Sequence, residues 1–572
     1  MTGRKRITLV VDELLGHTRT GGIATATTYL AVALGRIGHQ VVVLYAGDAP
    51  REPMADEWAR LYGEANVAVQ MLHRSGTQVE PAYFARMLDV EAALRADPPD
   101  VVVTQDLAAP AYTTLRMRQL GFGFEHTLFV VYCHGGRRWV TDMARKVRVL
   151  PGAHAITILE QASVELADVA VSPSAYLLDW MRGEGWRVPT NAFVIPHFTR
   201  SAALEEPRPR AATNGGGAVE RVAFFGRLEE RKGLKPFAAG LNALEPELLG
   251  KIELEFIGAA TPAWPPERIE ALLSDRTKHA LRRISFETRL DQPEALARLR
   301  RPGTLAVMPS HGETFSNAVY ECLEHGIPFL ASNAGAPAEL VAAADRARVL
   351  FDATPAGVAA ALRRALSNGD ALKPARPAFE AGTARDRWEQ VMQLQPAPRP
   401  RAVEPDVSSD SVLVRDEADS PDEECVGTLA RAQSACGADV VTCGVRLASG
   451  AQRLFLGDPG GLGLLANHYG TVALVRRSHL PDGGAAGDPW PLLARLTLDG
   501  ASVVSIPRAL AARNAPVPDV ANAPETALQV VAEFELRLPD ALRGLARLAA
   551  GLAAPLPAPP RRRTLLRKLL RR

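Results

Sequence analysis

Short runs of apolar, mostly β-branched residues alternate with longer amphipathic stretches over the first third of the chain. The runs that predict strands occupy residues 7–11, 40–46, 101–104, 127–133 and 169–172. Helical patterns lie between them, for example over residues 23–36 and 175–182. This alternation predicts an α/β domain whose mostly parallel sheet is covered by helices on both faces.

The same alternation restarts beyond a polar segment. Residues 199–220 contain Pro207, Pro209 and three consecutive glycines, a composition typical of a linker. Strand-like runs then return at residues 221–226, 252–258, 304–308, 328–331 and 349–351. We therefore predict two α/β domains, residues 1–198 and 221–395, joined by this linker.

A second linker and a third, smaller domain are predicted after residue 395. Residues 396–424 combine prolines, serines and acids, a composition that does not build a core. Further strand-like and helical patterns then predict an α/β domain at residues 425–545. These patterns lie at residues 438–443, 472–475, 491–498 and 501–507. Residues 546–572 are predicted to form a basic amphipathic tail.

The net charge of +2 conceals two blocks of opposite sign. Residues 401–424 hold nine acids against two arginines, whereas residues 561–572 hold seven basic groups and no acid. Four leucines between residues 565 and 570 fall on one helical face of this tail. The pattern predicts an interfacial helix on an anionic membrane surface, with a disordered basic tail as the alternative. The tail lacks interleaved aromatic residues, so no nucleic-acid partner is expected.

No apolar run reaches the roughly 18–20 residues of a membrane-spanning helix. Asp12 and Glu13 end the first apolar run before it attains the length of a signal peptide. These features predict a cytoplasmic protein that contacts the inner face of the membrane peripherally. The five cysteines lack zinc-ligand spacing and are expected to be buried, reduced thiols.

The first motif with chemical content spans residues 222–233, whose pattern predicts a strand, a sharp turn and a helix start. Gly226 lets the backbone approach a ligand, and Arg227 and Lys232 are two cations suited to a pyrophosphate. A solvated basic loop is the alternative for this segment alone.

The second motif follows a strand that is predicted to end at Met308. Glu313 lies in the next loop, and a helix is predicted over residues 315–325, whose free N–H groups suit a phosphate. Glu321 lies about two turns into that helix, on a face close to that of Glu313. One carboxylate is therefore expected to meet a sugar hydroxyl and the other the ribose hydroxyls.

With these motifs the sequence resembles the GT-B-fold glycosyltransferases of family 4 over about residues 5–395. The segments that carry the resemblance are Gly21-Gly22-Ile23, Cys133-His134-Gly135-Gly136, residues 167–172, Gly226-Arg227 with Lys232-Gly233, and Glu313 with Glu321. The resemblance implies two Rossmann-like domains that face a cleft, the first on the acceptor side and the second binding the nucleotide sugar. It also implies sugar transfer from a nucleotide diphosphate donor with retention of anomeric configuration, and no cofactor or metal.

The resemblance further implies a role for each motif residue. Arg227 and Lys232 would bind the donor diphosphate, Glu321 the ribose and Glu313 the donor sugar, while His134 would approach that sugar from the N-terminal domain. The other expected donor-site residues are Gly21, Gly22, Gly226, Thr314, Phe315 and Ser316. Ser316 stands where the family usually has glycine, and Pro196-His197-Phe198 replaces its usual Pro-Asn-Gly.

Several other polar residues leave two interpretations open. Asp12 and Glu13 follow the first strand, where ligands of open α/β sheets bind, but they are equally consistent with a helix-capping pair. His17, His197 and His311 are expected to be structural or solvent-exposed.

The third domain looks like the C-terminal half of a family 2, GT-A-type transferase. The segments that carry this resemblance are residues 438–443, 467–470, 475–477, 487–490 and 506–510. We expect a degenerate remnant that binds acceptor glycan or a partner, with Asp488 as its functional residue. The alternative is a second active site, in which Asp416-Glu417-Ala418-Asp419 would supply a metal motif.

Together these patterns favour a retaining hexosyltransferase that acts on a glycan or lipid-linked acceptor in bacterial surface polysaccharide or lipopolysaccharide biosynthesis. A GT-B nucleotide-sugar epimerase and a non-catalytic sugar-binding or scaffold protein are the alternatives.

Overall fold

The computed structural model describes residues 3–18, 21–48, 53–145, 151–205, 217–367, 369–380, 382–398, 410–480 and 488–537. Its strands form three sheets, one in each of the three parts of the chain. The basic tail and parts of both predicted linkers, residues 206–216 and 399–409, lie outside the described residues.

The first sheet has seven parallel strands in the order β3-β2-β1-β5-β6-β7-β8. These strands are β1 (Arg6–Val11), β2 (Gln40–Tyr45), β3 (Val67–Met71), β5 (Val101–Gln105), β6 (Leu128–Tyr132), β7 (Val169–Ser172) and β8 (Asn191–Val194). The short strand β4 (Val79–Glu80) belongs to another sheet. The prediction of a parallel α/β sheet is thus confirmed.

Helices cover both faces of this sheet because alternate strand residues point to opposite sides. Leu9 packs with one group of helices and Val10 with the other. The helices are α1 (Gly22–Ile37), α2 (Asp56–Glu64), α3 (Tyr83–Ala96), α4 (Tyr112–Gln119), α5 (Arg137–Met143), α6 (Pro151–Leu166), α7 (Ala175–Gly183) and α8 (Arg200–Leu204).

The second sheet has six parallel strands in the order β11-β10-β9-β12-β13-β14. They are β9 (Arg221–Phe225), β10 (Glu253–Ile257), β11 (Arg283–Glu287), β12 (Thr304–Met308), β13 (Phe329–Ser332) and β14 (Leu350–Phe351). Its helices are α9 (Leu234–Asn242), α10 (Pro246–Leu249), α11 (Pro266–Glu270), α12 (Asp275–Ala280), α13 (Gln292–Leu299), α14 (Asn317–Glu324), α15 (Pro337–Leu340), α16 (Ala343–Val349) and α17 (Pro355–Ser367).

Helix α18 (Thr383–Gln393) returns from the second domain to the first. Its Trp388 is fully buried in the apolar cluster of the N-terminal domain and meets Tyr132 edge-on, with ring centroids 5.4 Å apart. The two parallel-sheet domains are therefore joined both by the segment after β8 and by α18.

The third sheet corrects the predicted extent of the acidic linker. Strands β15 (Ser411–Arg415) and β16 (Asp419–Pro421) lie inside residues 396–424 and pair with β19 (Val472–Arg476) and β20 (Val503–Arg513). The remaining elements are α19 (Cys425–Cys436), β17 (Val440–Leu447), β18 (Gln452–Arg453), α20 (Pro489–Leu498) and α21 (Pro524–Arg537). Acidic residues are accommodated at this sheet because the Arg513 guanidinium neutralises Asp416 and Asp419. Its nitrogens lie 3.2 Å from Asp416 Oδ2 and 3.0 Å from Asp419 Oδ1.

The third domain is built onto the first. Strand β4 of the N-terminal part pairs with β18 instead of with its own sheet. Beside this pair, Leu454 and Leu456 share an apolar cluster with Phe84 of α3 and Leu159 of α6. The N-terminal and third domains therefore have a common core.

Candidate active site

A cavity of about 870 Å³ lies between the two parallel-sheet domains. All of the catalytic and donor-site residues predicted for the first two domains line it: Gly21, Gly22, His134, Gly226, Arg227, Lys232, Glu313, Thr314, Phe315, Ser316 and Glu321. They come together because the carboxyl ends of β1 and β6 face those of β9 and β12 across the cleft, which is where ligands of open α/β sheets bind.

Glu313 and Lys232 form the charged centre of the C-terminal wall. Lys232 Nζ lies 2.5 Å from Glu313 Oε1, Arg231 lies 3.3 Å from Oε2, and Ser310 Oγ donates at 2.6 Å. Burial alone would raise the pKa of Glu313, but Lys232 and Arg231 outweigh it and hold that pKa at about 2. Burial lowers the pKa of Lys232, which the charge of Glu313 opposes.

Gly233 explains how Lys232 is brought to this centre. Its φ is +83°, and a Cβ added there would lie 1.9 Å from the backbone oxygen of Pro309. The turn after Lys232 therefore presses directly against the segment that follows β12. Only glycine fits both the left-handed backbone and this close approach.

Arg227 is the more exposed cation of the pair predicted to bind a diphosphate. Its side chain is 48% exposed and its nearest charged partner, Glu229, is 3.9 Å away. Gly226, which precedes it, has a φ of +142°. Arg227 is thus free to turn toward a ligand in the cavity, whereas Lys232 is already held.

Glu321 lies in the second turn of α14. Gln292 at the start of α13 donates from Nε2 to Glu321 Oε1 at 2.5 Å. Burial raises the pKa of Glu321 to about 7. The site therefore contains two carboxyl groups with opposite tendencies, since Glu313 stays ionised while Glu321 titrates near neutrality.

Ser316 precedes α14 with a φ of +72°, the left-handed conformation that favours glycine. Its hydroxyl accepts a hydrogen bond from Val319 N at 3.4 Å and so caps the helix. The position where the family usually has glycine thus keeps a glycine-like backbone, and serine adds a cap.

His134 faces these groups from the N-terminal domain. Its ring stacks on His197, with centroids 5.5 Å apart and planes 29° apart. Burial lowers the pKa of His134 to about 3, and within the described residues its Nε2 has no hydrogen-bond partner. His134 is therefore a neutral hydrogen-bonding group at neutral pH.

His197 has the structural role expected as one of two options from the sequence, and it also lines the cavity. It is buried and hydrogen-bonds the hydroxyl of Tyr132 through Nδ1. Its ring also meets that of Phe315 across the cleft, at 4.5 Å between centroids. The Pro-His-Phe segment thus builds part of the site wall.

Two buried carboxyl groups that sequence reasoning missed shape the N-terminal wall. Asp106 accepts backbone hydrogen bonds from His134 and Gly135 at 2.8 and 3.0 Å. Glu160 of α6 accepts from Ala108 and Arg137 at 2.8 and 2.7 Å. Burial raises the pKa of Asp106 to about 6 and that of Glu160 to about 8.

The position of Asp106 just after strand β5 was a usable signal for its role. Glu160 lies within a helix, and no local sequence pattern marks it.

Direct hydrogen bonds cross the cleft. Thr314 Oγ1 donates to His134 O at 3.1 Å, and Ser174 Oγ donates to Thr314 O at 2.6 Å. Asn317 Nδ2 donates to Gly22 O at 3.2 Å. The start of α14 is therefore held against the N-terminal wall.

Asp12 and Glu13 have different partners in the structure. Glu13 accepts a hydrogen bond from Ala24 N in the first turn of α1, as a capping residue does. Asp12 instead pairs with Arg86 at 3.2 Å, and both carboxylates line the cavity. The capping interpretation thus applies to Glu13 alone, whereas the cavity position applies to both residues.

The residues singled out in the third domain have structural roles. Asp488 caps α20 because its side chain accepts a hydrogen bond from Trp490 N at 2.9 Å. This capping role explains the presence of Asp488 without invoking a bound ligand. Asp416 and Asp419 of the Asp-Glu-Ala-Asp segment both pair with Arg513. Among the described residues, no cluster of three or more His, Cys, Asp or Glu side chains is arranged to hold a metal ion.

Within the same part of the chain, no helix is both long and apolar enough to cross a membrane.

Part of the chain is similar in sequence to a known enzyme. The glycogen synthase of Mycobacterium tuberculosis (strain H37Rv) is 31% identical over 185 residues, which cover 32% of this chain and 43% of that enzyme. The chain therefore aligns with less than half the length of this curated relative. The match does not carry over that enzyme's substrates.

Solved structures with a similar course of the chain include two sugar-transferring enzymes. Sucrose-phosphate synthase from Thermosynechococcus elongatus is 18% identical, with a TM-score of 0.47 over 68% of this chain and 95% of that one. WaaG, a glycosyltransferase involved in lipopolysaccharide biosynthesis, is 15% identical, with a TM-score of 0.44 over 68% of this chain and 99% of that one.

Residues 9–349 match the family described as "Family 4 Glycosyltransferase in conflict systems". The match spans both walls of the cavity and ends before the third domain, whose resemblance to GT-A enzymes is not confirmed. Because it covers more than half of the chain, the protein belongs to this family and is a glycosyltransferase with the GT-B fold.

Proposed function

We propose that the protein transfers a sugar from a nucleotide diphosphate donor to a hydroxyl group of an acceptor, with retention of anomeric configuration. The observation that carries this proposal is the convergence of Arg227, Lys232, Glu313 and Glu321 on one cavity. The cavity also contains His134 from the opposite domain, so that a ligand bound there meets both walls.

The chemistry requires that the bond between the anomeric carbon and the diphosphate breaks. Negative charge then grows on the departing phosphate, where Arg227 and Lys232 neutralise it. The acceptor oxygen bonds to the anomeric carbon on the face that the diphosphate leaves, and its proton passes to the leaving phosphate oxygen. No protein nucleophile and no metal ion is part of this proposal, because the two cations supply the charge.

The carboxyl groups and His134 orient the donor. Glu313 remains ionised at neutral pH, so it accepts hydrogen bonds from donor-sugar hydroxyls and does not serve as an acid. Glu321 accepts from the ribose hydroxyls, and neutral His134 hydrogen-bonds the sugar from the other wall. Correct placement of the reacting atoms provides the rest of the rate enhancement.

Nucleotide release from a panel of nucleotide sugars tests this proposal. We expect Lys232→Ala and Glu321→Ala each to lower the rate by about 100-fold or more. Lys235→Ala is the matched control, since Lys235 is three residues away, 56% exposed and paired with Glu230 outside the charged centre. Wild-type rates in both site variants would contradict the proposal.

Analysis of the products separates transfer from epimerisation. A transferase releases a nucleoside diphosphate and a glycoside or free sugar. A GT-B epimerase would convert the donor sugar without any acceptor.

We further propose that the acceptor is a glycan or lipid-linked sugar of a bacterial surface polysaccharide or lipopolysaccharide. The basic, leucine-bearing residues 561–572 support a site of action at the inner face of the cytoplasmic membrane. Flotation with anionic liposomes tests this placement. The full chain is expected to float and residues 1–560 to stay in solution, whereas equal flotation would contradict it.

A further inference from the structure

The cavity contains one carboxylate that neither the fold nor the proposed donor site uses. Asp12 follows β1, and its side chain is 16% exposed. Its Oδ2 lies 3.2 Å from Arg86 NH1, but its Oδ1 is buried and has no hydrogen-bond partner among the described residues. An oxygen left in this way is unfavourable unless a ligand donates a hydrogen bond to it.

Other buried carboxylates of this domain have their oxygens occupied. Asp168 accepts from Arg118 at 3.0 Å and from Phe129 N at 2.9 Å. Asp106 and Glu160 each accept from two or more backbone N–H groups. Asp12 differs from these structural acids because it lines a cavity and one of its oxygens has no hydrogen-bond partner among the described residues.

The neighbours of Asp12 fix it in place. Gln105 accepts a hydrogen bond from Asp12 N at 3.3 Å, while its own amide donates to Leu107 O at 2.9 Å. Glu13 is turned toward the first turn of α1, where it accepts from Ala24 N. Asp12 and Arg86 therefore form a pre-positioned acid–guanidinium pair on the N-terminal wall.

We propose that Asp12 and Arg86 bind a pair of neighbouring hydroxyl groups on a neutral saccharide acceptor. This inference rests on the proposed transfer reaction. Asp12 Oδ1 accepts a hydrogen bond from one hydroxyl, and the Arg86 guanidinium donates to the oxygen of the next. The charges of these side chains favour a neutral saccharide over a charged ligand, since Asp12 and Glu13 repel an anion and Arg86 repels a cation.

Competition between water and saccharide as acceptor tests the assignment. The probes are glucose, galactose, mannose, maltose and sucrose, with the nucleotide sugar that gives the fastest nucleotide release. Donor hydrolysis and glycoside formation are measured separately by mass spectrometry. We expect wild-type protein to form a glycoside with at least one probe.

Asp12→Ala and Arg86→Gln are expected to raise the KM for that saccharide about tenfold or more. Both are expected to leave the donor KM and the hydrolysis rate within about twofold of wild type. Asp12→Asn keeps the side-chain shape. Its saccharide KM serves as a second test if the alanine variant melts at a lower temperature. Glu64→Ala is the control, because Glu64 is an exposed acid outside the cavity lining.

Three results would overturn the assignment. They are an unchanged saccharide KM in the Asp12 variants, loss of donor hydrolysis in parallel with transfer, and wild-type hydrolysis with no transfer to any probe. A wild-type protein that turns over no nucleotide sugar at all would instead contradict the proposed function.

Discussion

Lys232 is held by Glu313, so a donor diphosphate has to share a cation that already has a partner. Replacing Glu313 with Gln removes that partner and leaves a buried ammonium group next to the Arg231 cation without its closest carboxylate, which lowers stability. A bound diphosphate then becomes the replacement partner for Lys232. Glu313 thus links donor binding to the stability of the site.

We expect Glu313→Gln to melt at a lower temperature than wild type and to gain more stability from added nucleoside diphosphate. Thermal unfolding with and without nucleotide measures both effects. Sugar transfer is expected to fall about 100-fold, since the donor sugar loses its orienting carboxylate. Glu267→Gln, at an exposed position of α11, is the control. A nucleotide-induced shift no larger than that of wild type would speak against this role.

Glu321 gives donor binding a pH dependence. Burial raises the pKa of Glu321 to about 7, and only its ionised form accepts hydrogen bonds with both oxygens. We therefore expect nucleoside diphosphate affinity to strengthen between about pH 6 and pH 8, by at most tenfold per unit. Calorimetry across this range, with Glu321→Gln as the comparison, isolates the carboxyl group from the titration of the phosphate itself. Equal slopes for both proteins would refute the assignment.

The raised pKa of Glu321 also makes the stability of the fold depend on pH. Between about pH 4.5 and 7 folded Glu321 retains a proton that the unfolded chain releases. Its contribution to the free energy of unfolding therefore decreases as pH rises through this window.

At the residue scale, the sequence predicts the groups that lie in short motifs and misses those that act through the fold. Lys232, Glu313 and Glu321 stand in segments whose spacing already suggests a donor site. Asp106 and Glu160 bind backbone N–H groups of distant loops, and this pairing exists only after the strands are placed side by side.

Among the elements, the interior strands of both parallel sheets are predicted well because they are buried on both faces and appear as continuous apolar runs. The edge strands β3, β8 and β11 each have at most one fully buried position and no such run. Strands β15 and β16 escaped prediction for another reason. The acids around and between these two strands indicate a solvated segment until the distant Arg513 is known to pair with Asp416 and Asp419.

The turn between β9 and α9 depends on Gly233, and Gly233→Ala is expected to weaken both folding and catalysis. The added Cβ would overlap the backbone of Pro309, so the loop that presents Lys232 has to move. Gly500→Ala is the control, because Gly500 has a φ of +91° but open space around its Cα. The control is expected to cost about 1–2 kcal/mol of backbone strain alone.

Urea unfolding of the two glycine variants compares their free energies of unfolding, and nucleotide release compares their activities. Gly233→Ala is expected to lose more stability than Gly500→Ala and most of its activity. Equal losses in both would show that close packing of the turn is unimportant.

On the scale of the whole molecule, the third domain packs against the N-terminal wall of the active site. Leu456 packs in the cluster that contains Leu159 of α6, and the next residue of that helix, Glu160, holds the loops at Ala108 and Arg137. The sequence suggested a separate module behind an acidic linker. The shared core instead makes the third domain a support for the wall that we assign to the acceptor.

This arrangement predicts that a destabilising substitution in the third domain also destabilises the loops that line the cleft. Leu456 is 3% exposed, so Leu456→Asp places a charge in the shared apolar cluster and is expected to cost about 3 kcal/mol or more. Leu528→Asp is the matched control, since Leu528 lies in the same domain and is 66% exposed. Hydrogen exchange should quicken at residues 106–108 and 134–137 only in the Leu456 variant, together with a loss of transfer. Protected loops and full activity in a destabilised Leu456→Asp protein would mean that the third domain stabilises the chain without shaping its site.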